Sequence, residues 1–366
     1  MSTGGDGTQG CPPRRCGPNL RRSNLLIRLL VIANLILATL SLAGCHQASK
    51  HSEQEATAKS GQAKKITICL LPKIKGISYF SSCYKGAMEA ALELGNVELI
   101  YDGPTDGDPK KQAEMIDQWV VDGVDAICVS PNAPDVVATA MAEARAAGVK
   151  VITWDADSSP ASREFFVNQA TAPSIGGGMV NAMIKDLGPE VVGDVVIISS
   201  DATSANQNAW IDEMKSTLSK SKLKLATIKY PGENASNALA DAMDVIKKYP
   251  ELKGIFGISS VSFPGAAEGV EQMGKSGLIM VTGLSTPNDM KSFVKKGTVK
   301  SVILWNTIDL GYLTVYVGDA LVRGTLKKGM TTLPAGRLGD KQIDGDNVML
   351  GDIMVFTKDN IDQHNF

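Results

Sequence analysis

Histidine is nearly absent from this chain. His46, His51 and His364 are the three it carries in 366 residues, and all lie towards the ends. A zinc site built on imidazoles and a Ser-His-Asp triad both need histidine inside the fold, so neither is expected. Charge of one sign is also lacking: the net charge is −2 with 21% charged residues. With no basic stripe, RNA-binding signature or zinc-finger spacing, nucleic acid is not an expected partner. Long apolar runs are scarce too. The one that stands out, Leu29 to Leu42, falls short of the about 20 residues that a membrane-spanning helix requires.

That run has a telling context. Arg14, Arg15, Arg21, Arg22 and Arg28 lead into it, and Leu42-Ala43-Gly44-Cys45 closes it. A charged segment, an apolar segment and a small-residue exit make a secretory signal. The alternative is an uncleaved anchor, which the shortness of the run disfavours. The polar stretch from His46 to Lys65 lacks apolar periodicity and reads as a flexible tether. Of the six cysteines, Cys11 and Cys16 precede the run and Cys45 follows it, leaving Cys69, Cys83 and Cys128. Cys69 and Cys128 sit within apolar strands, where a thiol acts as a small hydrophobe. A bridge between them is compatible with the sequence but not fixed by it.

From Lys65 the chain alternates strands and helices. Ile66 to Leu71, Val97 to Tyr101, Ala126 to Val129 and Val149 to Trp154 read as strands, with helices between them. After a connection through Ser158 the alternation restarts, running from Val195 to the long helix Asp309 to Val322. Repeated βα units predict parallel, doubly wound sheets with right-handed crossovers, here two of them. The fold class expected is α/β, two such lobes joined by a multi-crossover hinge placed around Ser158 and at Leu284 to Pro287. The expected division is 1–45 leader, 46–65 tether, 66–157 with 286–335 first lobe, and 158–285 with 336–366 second lobe. The turn-rich tail predicts a hairpin and a closing strand.

The stretch Val149 to Asp157, VKVITWDAD, organises the rest. Ligands of open α/β sheets bind beyond the carboxyl ends of strands, which would bring Trp154, Asp155 and Asp157 to the cleft. Carboxylates accept from hydroxyls, and flat rings stack on the C–H faces of sugars; the plain alternative is that both aspartates cap turns. Lys73 follows the first strand, as an exposed loop lysine or as a donor to a ligand oxygen. Tyr79 and Phe80 open the next helix and can wall the cleft. Asn206 and Gln207 open a helix after a strand of the second lobe, as an N-cap and its neighbour or as polyol-binding amides. Pro264, Gly265 and Ala266 follow strand GIFGIS, where small residues let a ligand approach the backbone.

Two glycine patterns are set aside. Gly269 to Ser276 matches GxxxxGK[ST] as a string, but a helix precedes it and a strand follows, the reverse of a phosphate-binding loop. Gly274 there reads as the left-handed residue ending a helix. Gly176-Gly177-Gly178 follows no strand and predicts close helix packing.

The stretches LPKIKGISYF, YDGPT, DAICVSPNAPD, VKVITWDAD, VNQAT, NQNAW, GLSTPNDMKSFVKKGTVK and FTKDNID carry a resemblance over nearly the whole chain beyond Lys65. The chain resembles the periplasmic sugar-binding proteins of the ribose-binding superfamily (type I), and within them the autoinducer-2-binding and rhamnose-binding receptors of ABC importers. The sequence Leu42 to Cys45 is likewise similar to a bacterial lipobox, which implies a lipid on Cys45 and anchoring to a membrane in the periplasm. The resemblance implies ligand contacts from Lys73, Asp155 and Gln207, with Pro264 and Ala266 giving backbone or shape contacts. Where autoinducer-2 receptors have an aspartate this chain has Asn206, which favours a rhamnose-like deoxyhexose. It also implies a membrane permease as partner, a monomer, and no cofactor or metal.

Three functions compete: a transport receptor, a glycoside hydrolase using Asp155 and Asp157, and a sensor-only receptor with the same cleft. Hydrolases place their carboxylates on opposite sides of the scissile bond, whereas residues two apart on a strand face one side. With no nucleophile–base pair, metal cluster or cofactor loop, catalysis is not expected. The leader and the missing helix-turn-helix exclude a DNA-binding repressor.

Overall fold

The structure, a computed structural model, describes residues 64–366; the leader, Cys45 and the tether up to residue 63 lie outside the described residues. Strands and helices alternate: β1 (Ile66–Leu71), α1 (Ser78–Leu94), β2 (Val97–Tyr101), α2 (Pro109–Asp122), β3 (Ala126–Val129), α3 (Pro134–Ala146), β4 (Lys150–Trp154) and β5 (Phe166–Asn168). Then follow α4 (Ala172–Leu187), β6 (Gly193–Ile198), α5 (Ala205–Leu218), β7 (Leu223–Lys229), α6 (Ala235–Lys248), β8 (Leu252–Gly257), α7 (Ser262–Gln272) and β9 (Met280–Leu284). The chain ends with α8 (Pro287–Lys296), β10 (Val299–Leu304), α9 (Thr307–Val322), β11 (Thr332–Pro334), β12 (Asp340–Asp344), β13 (Asn347–Met349) and β14 (Met354–Phe356).

Helix starts follow local chemistry. The Asp108 side chain accepts from the Lys110 N–H ahead of Pro109, and Asn306 accepts from the Ile308 and Asp309 N–H groups. Each meets backbone donors that the first turn leaves unpaired.

The strands form two sheets, ordered β11-β12-β13-β5-β4-β3-β1-β2 and β14-β10-β9-β8-β6-β7. The α/β core strands β1 to β5 run parallel, as do β6 to β10, and both sets repeat one doubly wound order. Parallel strands of this kind are covered on both faces and so read as continuous apolar runs. The first sheet buries Cys69, Leu71, Ile127 and Val129 against α2 and α3, and Ile68, Leu70, Cys128 and Ile152 against α1 and α9. Register explains the thiols. Cys69 lies opposite Ile127 and Leu70 opposite Cys128, so the two cysteines point to opposite faces. Cys69, Cys83 and Cys128 are all free and buried.

Lobe membership departs from the expected division. β10, expected in the first lobe, pairs with β9 in the second sheet, while β5, β12 and β13, expected in the second, complete the first. The chain therefore passes between sheets after β5, after β10 and after β13. The segment Leu284 to Pro287 is an internal β9–α8 link, and Ser158 lies before the first passage. The apolar run of β10 is the same whichever sheet receives it, and the three-residue β5 has no period of its own, so neither was assignable from pattern alone.

Glycines mark the tightest helix contacts. A Cβ on Gly86 of α1 would lie 1.7 Å from the Ile308 carbonyl oxygen of α9, and one on Gly311 would lie 1.8 Å from that of Cys83. In α4, a Cβ on Gly176 would meet the Trp210 carbonyl oxygen of α5 at 2.5 Å, whereas on Gly177 the nearest atom is the Thr217 hydroxyl at 3.5 Å. The helix–helix packing expected of this triplet is thus at Gly176, while a Cβ on Gly178 would meet the Ile353 side chain at 2.4 Å. Gly274 has φ +63° at the end of α7, as its sequence position suggests. Gly176→Ala should lower the melting temperature by several degrees, because backbone must move. Gly177→Ala should leave it unchanged or raise it, since alanine stabilises a helix interior by about 0.5–1 kcal/mol over glycine. Scanning calorimetry of the two variants checks the contrast.

Candidate functional site

Both sheets have strand orders that reverse direction beside their first strand, and ligand sites of doubly wound sheets gather beyond the carboxyl ends there. Lys73 follows β1, Ser130 follows β3 and Asp155 follows β4. From the second sheet, Ser199 and Ser200 follow β6, Ser259 and Ser260 follow β8, and Trp305 follows β10. Of these, Lys73, Asp155, Ser259, Ser260 and Trp305 line one cavity, with about 400 Å³ of empty space counted out through its open mouth.

Asp155 is the anchor. It is the single non-glycine residue with a positive φ among the described residues, at +62°. That left-handed turn ends β4 and aims the carboxylate sideways; aspartate tolerates it better than most side chains. One carboxylate oxygen accepts from the Tyr79 hydroxyl at 2.8 Å, the other from the Ser130 hydroxyl at 2.8 Å, and the Lys73 ammonium stands 3.9 Å away. Trp305 Nε1 donates to the Tyr79 oxygen at 3.0 Å, carrying the network into the second lobe. Burial, and then the neighbouring Asp155 charge, push the Tyr79 phenol well above its usual range, so Tyr79 stays a donor.

Lys73 is 4% exposed and bridges the lobes. Its Nζ donates to Ser204 Oγ at 3.1 Å and to Asn206 Oδ1 at 2.8 Å. Burial lowers the affinity of this amine for its proton, and Asp155, Glu233 and Asp201 pull it back up. Asn206 is fully engaged: its Oδ1 also accepts from the Gln207 N–H, and its Nδ2 donates to the Asp155 carbonyl oxygen at 3.3 Å. Ser204 is the N-cap of α5, so Asn206 lies inside the first turn rather than capping it. Gln207 is set by three donors on its Oε1, the Ser199 and Ser200 hydroxyls and the Ser200 N–H. A backbone N–H can only donate, which fixes the amide and turns Nε2 away as the remaining donor.

Lys73, Tyr79, Phe80, Asp155, Asn206 and Gln207 therefore converge on the cavity, while Pro264 and Ala266 do not reach it. Helix α7 begins at Ser262, two residues before Pro264, and Ala266 lies in the core at 0% exposure. Ile258 to Ser260, just before the helix, form the wall in their place. Trp154 does not line the cavity either. Its indole is fully buried, donates to the Cys128 carbonyl oxygen at 3.1 Å and packs edge-on beneath Phe80 at 5.5 Å between ring centres. Asp157 serves the turn: Arg163 grips it with Nε at 2.9 Å and Nη2 at 2.6 Å, and the Ser158 N–H donates to it.

Sequence reasoning missed Trp305, Trp210 and Glu233. Trp305 follows a strand as Asp155 does, and the same strand-end rule would have found it. Trp210, one turn into α5, is edge-on to Trp305 at 6.0 Å. Glu233 sits in the β7–α6 loop, PGENAS, where a turn glutamate carries no distinguishing signal. It keeps partial surface exposure, yet burial raises its carboxyl above the ordinary glutamate value, opposed by Lys73 and by hydrogen bonds from Ser259 and Ser200.

Donors, acceptors and aromatic faces thus surround one cavity. Residues 68–326 match the family model described as "Periplasmic binding protein domain". The ribose import binding protein of Bacillus subtilis is 25% identical over 281 residues, 76% of this chain and 88% of that protein. An ABC transporter solute-binding protein from Clostridium phytofermentans with bound L-rhamnose is 27% identical with a TM-score of 0.77, covering 82% of this chain and 98% of that one. LsrB of Clostridium saccharobutylicum, in complex with AI-2, shares the fold at a TM-score of 0.78 and 24% identity, over 82% of this chain and 100% of its own. The chain belongs to the periplasmic binding protein family. Within it the chain is a sugar-binding protein of the ribose-binding group, a family of receptors and not of enzymes.

Asp155→Ala should cost about 3 kcal/mol or more in denaturant unfolding, because it leaves the buried Lys73 charge without its carboxylate, and should weaken ligand binding by about tenfold to a hundredfold. Asp157→Ala should lower stability and leave affinity unchanged, since its carboxylate answers to Arg163. Calorimetric titration showing equal loss of affinity in both variants would reverse the roles assigned to them.

Proposed function

We propose that this protein is the receptor of an ABC sugar importer, taking a small neutral deoxyhexose of the rhamnose type between its lobes and held to a membrane by lipid on Cys45. The observation that carries the reading is the enclosed Lys73–Asp155 pair, with Lys73 reaching from the first lobe to Ser204 and Asn206 of the second. Charge-assisted donors and acceptors in a dry space suit hydroxyls. The apolar lining of Ile77, Ile258, Leu284 and Leu304 suits the methyl group of a deoxysugar, and Trp305 offers a ring to its C–H face. The L-rhamnose bound to the Clostridium phytofermentans protein supports this ligand class.

The second reading, an autoinducer-2 receptor, turns on Asn206, whose amide donates to the Asp155 carbonyl. A carboxylate there would pair with Lys73 and face that carbonyl with no proton to give. The amide therefore favours the rhamnose-like reading. A sensor-only receptor would use the same cleft and differs in its membrane partner. The hydrolase reading built on Asp155 and Asp157 loses Asp157, which is committed to Arg163, and the family is one of binding proteins.

Thermal-shift measurements against L-rhamnose, D-ribose and autoinducer-2 should give the largest stabilisation with L-rhamnose, about 2.7 kcal/mol at a hundred times Kd. In Asn206→Asp the preference should move towards autoinducer-2. No shift with any neutral sugar would sink the receptor reading. The anchor has its own check. Mass spectrometry of membrane-extracted protein should show acylated Cys45 at the N-terminus, lost in Cys45→Ser; an unmodified Cys45 or residues upstream of it would refute it.

A further inference from the structure

Among the residues that face the cavity, one carboxylate is left over once the Lys73–Asp155 network is drawn. Both Asp155 oxygens accept from protein hydroxyls, Tyr79 on one and Ser130 on the other. Glu233 enters from the opposite lobe, on the loop ahead of α6, and takes one hydrogen bond from its own lobe: the Ser259 hydroxyl donates to Oε2 at 3.2 Å. The Ser200 hydroxyl beside it carries a single proton, for which Gln207 Oε1 at 3.0 Å competes. Glu233 therefore has the largest spare acceptor capacity in the pocket. Lys73, the single cation lining it, is already shared among Ser204, Asn206 and Asp155.

We propose that Glu233 is the specificity-determining residue of the second lobe, accepting from a ligand hydroxyl and closing the cavity to acidic sugars. The inference rests on the sugar-receptor reading above and adds the class of sugar admitted. Two carboxylates against one committed ammonium leave nothing to neutralise a carboxylate on the ligand, and among the described residues no arginine lines the space. An uncharged polyol meets the opposite situation. Its hydroxyls donate to Glu233 and accept from Gln207 Nε2, both of the second lobe, and bring no charge that needs a counter-ion.

The test is calorimetric titration of wild type, Glu233→Gln and Glu233→Asp with L-rhamnose and with L-rhamnonate, its acid at C1. Wild type should bind L-rhamnose and bind the acid at least a hundredfold more weakly. Glu233→Gln, which keeps shape and removes the charge, should bind L-rhamnose about tenfold more weakly and narrow the gap to the acid by about tenfold. Glu233→Asp, which keeps the charge and withdraws it by one methylene, should lose affinity for the neutral sugar and still reject the acid. It carries the test if the glutamine variant does not fold. Wild type binding both sugars equally, or variants that keep both the affinity and the discrimination of wild type, would overturn the proposal. Absence of binding to every neutral sugar in wild type would instead remove the receptor reading beneath it.

Discussion

Lys73 carries its ammonium at the boundary between two lobes, where water hardly reaches. A charge in that position is costly unless every donor is answered. The answer comes from both sides: Asp155 at 3.9 Å in its own lobe, Ser204 and Asn206 in the other. Much of the surrounding architecture serves that requirement. The left-handed turn at Asp155 holds the carboxylate in place, Tyr79 and Ser130 orient it, and Trp305 extends the network through the Tyr79 hydroxyl. A pair so placed ties the energetics of lobe closure to the chemistry of the cavity, because separating the lobes leaves Lys73 with the first-lobe partner alone.

The aromatic residues of the site brace one another, Trp154 from behind the cavity wall and Trp210 from within the lining. Trp154 lies under Phe80, and Trp210 lies against Trp305, each in edge-on contact. A ring that must stack on a ligand cannot be free to turn, and a second ring behind it removes that freedom at little entropic cost. The sequence pattern put Trp154 forward because it stands at a strand end beside Asp155. Alternation along the strand sends it to the helix-covered face instead, where its N–H finds the Cys128 carbonyl.

How far the fold was legible depended on how local its causes were. Apolar β-branched runs placed β1, β2 and β3 at their observed limits, because the signal lies within the segment itself. Partner choice is not local. β10 has the same run of residues in either sheet, and β5, at three residues, is held in place by β4 and β13 rather than by any pattern of its own. The site divides in the same way. Lys73 and Asp155 stand just past strands and were found by that rule, while Gln207 was legible from its place at the start of a helix that follows a strand. Pro264 and Ala266 lie inside helix α7, which starts at Ser262, with the Ser262 hydroxyl donating to the Ile198 carbonyl oxygen across the sheet. Glu233 reaches the cavity through the path of a loop, which no spacing encodes.

The three passages between sheets have a bearing on how the protein comes into being. Neither lobe is a continuous stretch of chain: the first sheet needs β11 to β13 and the cover of α9, and the second needs β14. Helix α1, made early, has its partner α9 more than two hundred residues downstream, and the Gly86–Ile308 and Gly311–Cys83 contacts admit no substitute. A chain emerging from its N-terminus therefore cannot seal either core until nearly all of it is available. A topology that closes on contacts so distant in sequence folds slowly, because the entropy of closing the long loops is lost before those contacts form.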